Sequence, residues 1–147
     1  LKINLSIEAF ADIIGANLEN ENHEIIQLIA FDSRKISNPS NTAFFAFQGE
    51  FRNGHDFIQD AYSKGIQTFV VDKKFNTSGF PNATFLFVED PLIALQKLAK
   101  FHRLKFNYPI VAITGSVGKT IVKEWIYHLI SGEKKVIRSP KSYNSQI

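Results

Sequence analysis

The hydrophobic pattern switches repeatedly between a helical period and short apolar runs, and this alternation predicts an α/β protein. Ser6 can cap a first helix whose apolar positions Ile7, Phe10, Ile13 and Ile14 share a side and which Gly15 can end. Ile25–Phe31 reads as one buried strand and Thr42–Phe47 as a second, with a polar turn from Asp32 to Pro39 between them. Gln48–His55 reads as a loop holding Gly49 and Gly54. Asp56 is then placed to cap a short helix with Phe57, Ile58, Ala61 and Tyr62 on its apolar side, stopped at Gly65. Thr68–Val71 and Thr84–Val88 read as strands around the loop Lys73–Asn82. Asp90-Pro91 is a strong helix start, because Asp caps free amides and Pro fits the first turn. That helix should run to about Lys105 with Leu92, Leu95, Leu98, Ala99 and His102 near one stripe, and Asn107-Tyr108-Pro109 should break it.

Beyond the break comes Ile110–Ile113, all apolar, as in a strand buried inside a parallel sheet. A glycine-rich turn follows, then a helix from about Gly118 to Ser131 with a broad stripe of Ile121, Val122, Trp125, Ile126, Leu129 and Ile130. Val136-Ile137 begins another strand. The expected division is a small α/β domain over 1–88, a connecting helix over 89–107, and the opening of a second α/β domain over 108–147. Two strands and one helix leave a sheet face uncovered, so the chain is expected to be a piece of a longer protein.

The 147 residues are 44% hydrophobic and 21% charged, a soluble globular balance. The absence of cysteine excludes disulfide scaffolds, cysteine-bound zinc, iron–sulfur clusters and thiol catalysis. No apolar run reaches the roughly 20 residues of a membrane span and the start lacks a signal-peptide pattern, so no membrane partner and a cytoplasmic location are expected. Charge is uneven. Residues 1–99 carry 8 Lys or Arg against 12 Asp or Glu, whereas 100–147 carry 9 against 2. The basic third suits a polyanion such as nucleotide phosphates; a solvated basic face is the other reading. Lys134, Lys135, Arg138 and Lys141 lack the aromatic interleaving or motif of a nucleic-acid binder, so no nucleic-acid partner is expected.

The sharpest chemical signal is Ile110-Val-Ala-Ile-Thr114-Gly115-Ser116-Val117-Gly118-Lys119-Thr120. Glycines let the backbone turn its amides onto a phosphate, and the helix start adds partial positive charge. Lys119 brings a full charge to the outer phosphates, and the Thr120 hydroxyl can ligate Mg2+. The usual P-loop has a further glycine where this chain has Ile113.

This loop resembles the Thr-Gly-(Ser/Thr)-x-Gly-Lys-Thr loop of the Mur ligases, which lacks the early glycine in the same way. The family usually has Asn where this chain has Val117. Asp32-Ser33-Arg34, Thr42 to Gly49, and Asn53-Gly54-His55-Asp56-Phe57-Ile58 look like the family's N-terminal uridine-nucleotide domain, which commonly reads Asp-Gly-His where this chain reads Asn53-Gly54-His55. Ser142 to Ile147 resembles an Asn-x-Asn-Asn-x-Ile stretch, of which Asn144 and Ile147 remain.

The resemblance implies an ATP-dependent amide ligase of peptidoglycan precursor synthesis, with ATP and Mg2+ as cofactors. Thr114, Gly115, Ser116, Val117, Gly118, Lys119, Thr120 and Asn144 would bind the nucleotide. Lys119 would act in catalysis and Thr120 on the metal. Ser33, Arg34, Gly49, Asn53, Gly54 and His55 would bind the UDP end of UDP-N-acetylmuramoyl-peptide. Lys123-Glu124 and the tail favour the branch that adds D-alanyl-D-alanine, and the tail resembles the form fused to an alanine racemase. The remaining catalytic groups would lie in the rest of the polypeptide, and these 147 residues alone are expected to be inactive as a ligase.

Read without the resemblance, Ser33 and Asp32 can simply cap local amides, Asn53-Gly54 can be a tight turn, and His55 can brace the following helix. The strand phenylalanines are core residues first, with none marked out to stack on uracil. Two other functions stay open: another Mur-type ligase, adding the third amino acid, or a different P-loop ATP enzyme; and a non-catalytic UDP-sugar-binding module.

Overall fold

The computed structural model describes residues 3–19, 24–49 and 52–139. The chain divides into two compact units, Leu1–Phe106 and Asn107–Ile147.

The first unit is a three-layer α/β sandwich. Ser6 accepts a hydrogen bond from the Ala9 amide at 3.3 Å and starts α1, Ile7–Ile14. Gly15 ends it in the left-handed region with φ 72°. A five-stranded sheet runs in the order β2 (Asn17–Glu19), β7 (Thr84–Val88), β6 (Thr68–Asp72), β5 (Thr42–Phe45), β4 (Leu28–Ala30). Strands β4 to β7 are parallel, and β2 lies antiparallel on β7. Successive side chains of a strand point to opposite faces, and both faces here are apolar. Ala43, Phe45, Val70, Leu86 and Val88 meet Ile7, Phe10, Ala11 and Ile14 of α1 and Ala94 and Leu98 of α3 (Pro91–Leu104). Phe44, Phe69, Val71 and Phe85 meet Ile58 and Ala61 of α2 (Ile58–Ser63).

Several expectations are corrected. The run 25–31 is not one strand. Ile25–Ile26 (β3) pairs antiparallel with Leu5–Ser6 (β1) in a separate two-stranded sheet, while β4 joins the main sheet. The chain changes sheets at Gln27, which accepts from the Ile3 amide and donates to the Asn41 carbonyl, each at 2.8 Å. The cap before α2 is Asn53 rather than Asp56. Its side chain accepts from the His55 amide and starts a 3-10 turn, Gly54–Phe57, that feeds the helix. Asp90 does cap α3, accepting from Leu92 at 2.7 Å, but the buried stripe is Pro91, Ala94 and Leu98, and Ala99 is exposed. By packing, this helix belongs to the first unit, which therefore extends past residue 88 to Phe106.

In the second unit, α4 spans Lys119–Ile130. Neither 110–113 nor 136–137 forms a β-ladder among the described residues, and Ile110 is 61% exposed. A parallel strand exists only through hydrogen bonds to neighbours, and no described segment supplies them. The stripe of α4 is likewise open: Ile121, Val122, Trp125, Leu129 and Ile130 are all exposed.

Candidate functional site

The glycine-rich loop of the second unit is shaped by two backbone positions. Gly115 has φ 149° and Gly118 has φ 80°, both in the region that side chains disfavour. A Cβ at Gly118 would meet nothing within 4 Å, and at Gly115 only the Val117 carbonyl at 3.8 Å. Conformation, not crowding, demands these glycines, and the space above them is open. The chain bends at Ser116-Val117 and enters α4 through Gly118, whose carbonyl accepts from the Val122 amide at 3.0 Å. Lys119, the first helical residue, folds back over the loop. Its Nζ donates to the Gly115 carbonyl at 2.5 Å and the Ser116 carbonyl at 3.4 Å.

The result is a closed turn rimmed by an ammonium group at the positive end of a helix, suited to an anion. Val117 is 90% exposed, so the departure from Asn at this place leaves the turn intact. Thr114 and Thr120 flank the turn and are exposed. A hydroxyl oxygen at Thr120 is the hard donor Mg2+ accepts alongside phosphates and water. No group of three or more acidic or histidine side chains that could cage a metal occurs among the described residues. Asn144 lies outside the described residues.

The candidate residues of the first unit follow the parallel strands β4 and β5, and ligands of open α/β sheets bind beyond such strand ends. Asp32 caps the 3-10 turn Ser33–Lys35 and holds Arg34 in a two-pronged pair, Nε to Oδ1 at 2.8 Å and Nη2 to Oδ2 at 2.9 Å. These bonds with Arg34 hold the Asp32 carboxyl at about 2, well below its ordinary value. The Arg34 side chain is 75% exposed, so its guanidinium is displayed to solvent. Ser33 is buried, and its carbonyl accepts from Lys64 Nζ at 3.0 Å.

Gly49 donates to the Arg52 carbonyl at 2.9 Å, and Gln48 and Asn53 form an antiparallel bridge. Gly54 is demanded by close approach: a Cβ there would lie 2.5 Å from the Phe47 nitrogen. His55 spends both ring nitrogens inside the fold. Nδ1 lies 2.8 Å from Asn53 Oδ1, and Nε2 lies 3.4 Å from the Asp72 amide nitrogen and 3.6 Å from Asp72 Oδ2. Its ring packs on Phe75 at 5.4 Å. Gly54 and His55 thus serve the loop's architecture, while Ser33 and Arg34 form a turn with an outward cation. Two features here escape the linear pattern. Phe31, just before this turn, is 54% exposed and leans on Phe47 at 6.2 Å. Lys64 reaches the turn from just past the end of α2; only its i,i+4 spacing from Asp60 is visible in the chain.

The family model described as "Mur ligase family, catalytic domain" matches residues 25–103, more than half of the chain. The chain belongs to the Mur ligase family. The match covers most of the first unit and stops short of the glycine-rich loop. Curated Mur ligases extend the likeness across nearly the whole chain. The UDP-N-acetylmuramoyl-tripeptide–D-alanyl-D-alanine ligase of Synechocystis is 36% identical over 96% of this chain, and its counterpart in Haemophilus influenzae 35% over 99%. The chain spans about a third of the length of these relatives, 31% and 32%. Among solved structures, MurF from Acinetobacter baumannii superposes with TM-score 0.76 over 90% of this chain and 28% of its own, at 24% identity, which speaks to the fold. MurF ligase from Thermotoga maritima in complex with ADP gives TM-score 0.66 over 79% of this chain and 26% of its own, at 29% identity. Among the described residues, no helix of this Mur ligase chain is long and apolar enough to cross a membrane.

Proposed function

We propose that this chain is part of an ATP-dependent ligase that joins D-alanyl-D-alanine to UDP-N-acetylmuramoyl-tripeptide. The first unit would hold the uridine diphosphate end, and the loop Thr114–Thr120 would hold the phosphates of ATP. The observation that carries this reading is Lys119 folded over the Gly115 and Ser116 carbonyls at the start of α4, within a family whose members are peptide-forming ligases.

The chemistry explains why the reaction needs such a loop. A carboxylate resists attack by an amine because oxide is a poor leaving group. Transfer of a phosphoryl group from ATP to the carboxylate gives an acyl phosphate. The amine then attacks its carbonyl carbon, the amide bond forms and phosphate leaves. Lys119 and the loop amides would offset charge on the transferring phosphoryl group. Mg2+ held at Thr120 would neutralise the outer phosphates. In the first unit, Arg34 would grip a phosphate oxygen with its outward N–H groups, and the exposed face of Phe31 would offer the base a stacking surface.

Titrating the 147-residue chain separately with UDP-N-acetylmuramoyl-tripeptide and with Mg-ATP tests the reading: both should bind, independently. Binding of ATP without the UDP-sugar would point to a different P-loop enzyme. Binding of the UDP-sugar without ATP would leave a substrate-binding module. A specific observation also favours a second ligase: the diaminopimelate-adding enzyme of Clostridium tetani is 38% identical over 71% of this chain. Tighter binding of the UDP-linked dipeptide than of the tripeptide would select it.

A further inference from the structure

We propose that Lys64, braced by Asp60, is a positioning residue for the nucleotide-binding turn at Ser33, acting through that turn without touching the ligand. The inference rests on the reading of the first unit as the UDP site.

From within, the turn is held by Asp32, which caps it and pairs with the Arg34 guanidinium. The turn is three residues long, closed by the Lys35 amide on the Asp32 carbonyl at 3.1 Å and by the Arg34 amide on Asp32 Oδ1 at 3.1 Å. Its outer support comes from 31 residues away. Lys64 Nζ donates to the Ser33 carbonyl at 3.0 Å and to Asp60 Oδ2 at 2.7 Å. The Ser33 side chain hydrogen-bonds the same Asp60 carboxylate, so Ser33 is gripped on two sides. Lys64 first, then Ser33, keeps the Asp60 carboxyl below its ordinary value and therefore charged.

An exposed Asp–Lys pair at i,i+4 is a common surface feature of small effect. This one differs because its ammonium spends a second bond on the main chain of another element. That bond aligns the turn that displays Arg34. Ligands gain affinity when the groups that meet them are already held in the binding geometry, because less ordering remains to be done on contact. Freed of Lys64, the turn would sample other conformations and Arg34 would meet the diphosphate less often.

The test uses the 147-residue chain, UDP-N-acetylmuramoyl-tripeptide as the probe, and the variants Lys64→Met and Lys64→Arg. Lys64→Met should weaken binding about tenfold, the scale of one charge-assisted hydrogen bond, with at most a small fall in the thermal midpoint. Lys64→Arg, which keeps donors for both partners, should restore affinity to within about threefold. Unaltered affinity in Lys64→Met overturns the proposal, as does equal weakening in both variants. If the folded parent chain does not bind the UDP-sugar, the reading of the first unit falls and the proposal falls with it. Binding by the parent with an indifferent Lys64→Met removes the positioning role alone.

Discussion

The two units obtain their shape from different sources, and the contrast shows what the glycine-rich turn proposed to hold phosphate needs. In Leu1–Phe106 the geometry is collective: both sheet faces are covered, and every core side chain of the described chain, from Ile3 to Leu98, lies here. In Asn107–Ile147 no described side chain is buried. Yet the second unit holds the proposed phosphate site. Its loop depends on two glycine conformations, a helix start and one lysine bonded to carbonyls three and four residues away. A turn of this kind is local in sequence. The turn at Ser33, by contrast, accepts a bond from Lys64, at the C-terminal cap of α2.

The largest expected effect separates the units by their cores. Phe45→Ala, which empties a fully buried position against Phe10, should cost about 3–5 kcal/mol in the first unit, read by chemical denaturation. A loss below about 1 kcal/mol would mean that the core is loosely packed. Gly54→Ala comes next. The added methyl meets the Phe47 backbone, which cannot swing aside, so about 1–3 kcal/mol should be lost. A neutral result would mean that the loop relaxes freely.

A smaller effect concerns acid. Asp32 is depressed to about 2 when folded. A depressed carboxylate contributes stability above its unfolded pKa, near 3.9, and loses that contribution as pH falls toward the folded value. Stability should therefore drop between about pH 4 and pH 2, and Asp32→Asn should make that limb shallower. An identical acid limb in the variant would mean that the Arg34 pair is absent in solution. The smallest effect belongs to the second unit: Trp125→Ala, at a side chain 66% exposed, should shift stability by no more than about 0.5 kcal/mol. A larger loss would show that its apolar stripe is covered in solution and would narrow the contrast.

Legibility in the sequence follows the same line. Local signals were readable: Ser6 and Gly15 bounding α1, Asp90-Pro91 opening α3, and glycines ahead of Lys119 opening α4. Thr84–Val88 matched its strand because β-branched and aromatic residues on both faces leave few alternatives. Non-local facts were not readable. The change of sheet at Gln27 depends on Asn41 and Ile3. A ladder at 110–113 needs neighbours that hydrophobicity alone cannot supply. Asn53 overtook Asp56 as the cap because Gly54 is drawn to Phe47, which starts the turn earlier than the carboxylate suggests. The links from Lys64 and Asp60 to Ser33 form only once α2 has packed beside the turn.

The central claim is that the amides of Gly115 to Thr120, with the Lys119 ammonium, form a phosphate site. Amide resonances of the 147-residue chain, followed through a titration with Mg-ADP, test it most directly. The account predicts saturable shifts centred on Gly115–Thr120 that vanish in Lys119→Ala. Shifts that avoid this loop, or that persist unchanged in the variant, would contradict it.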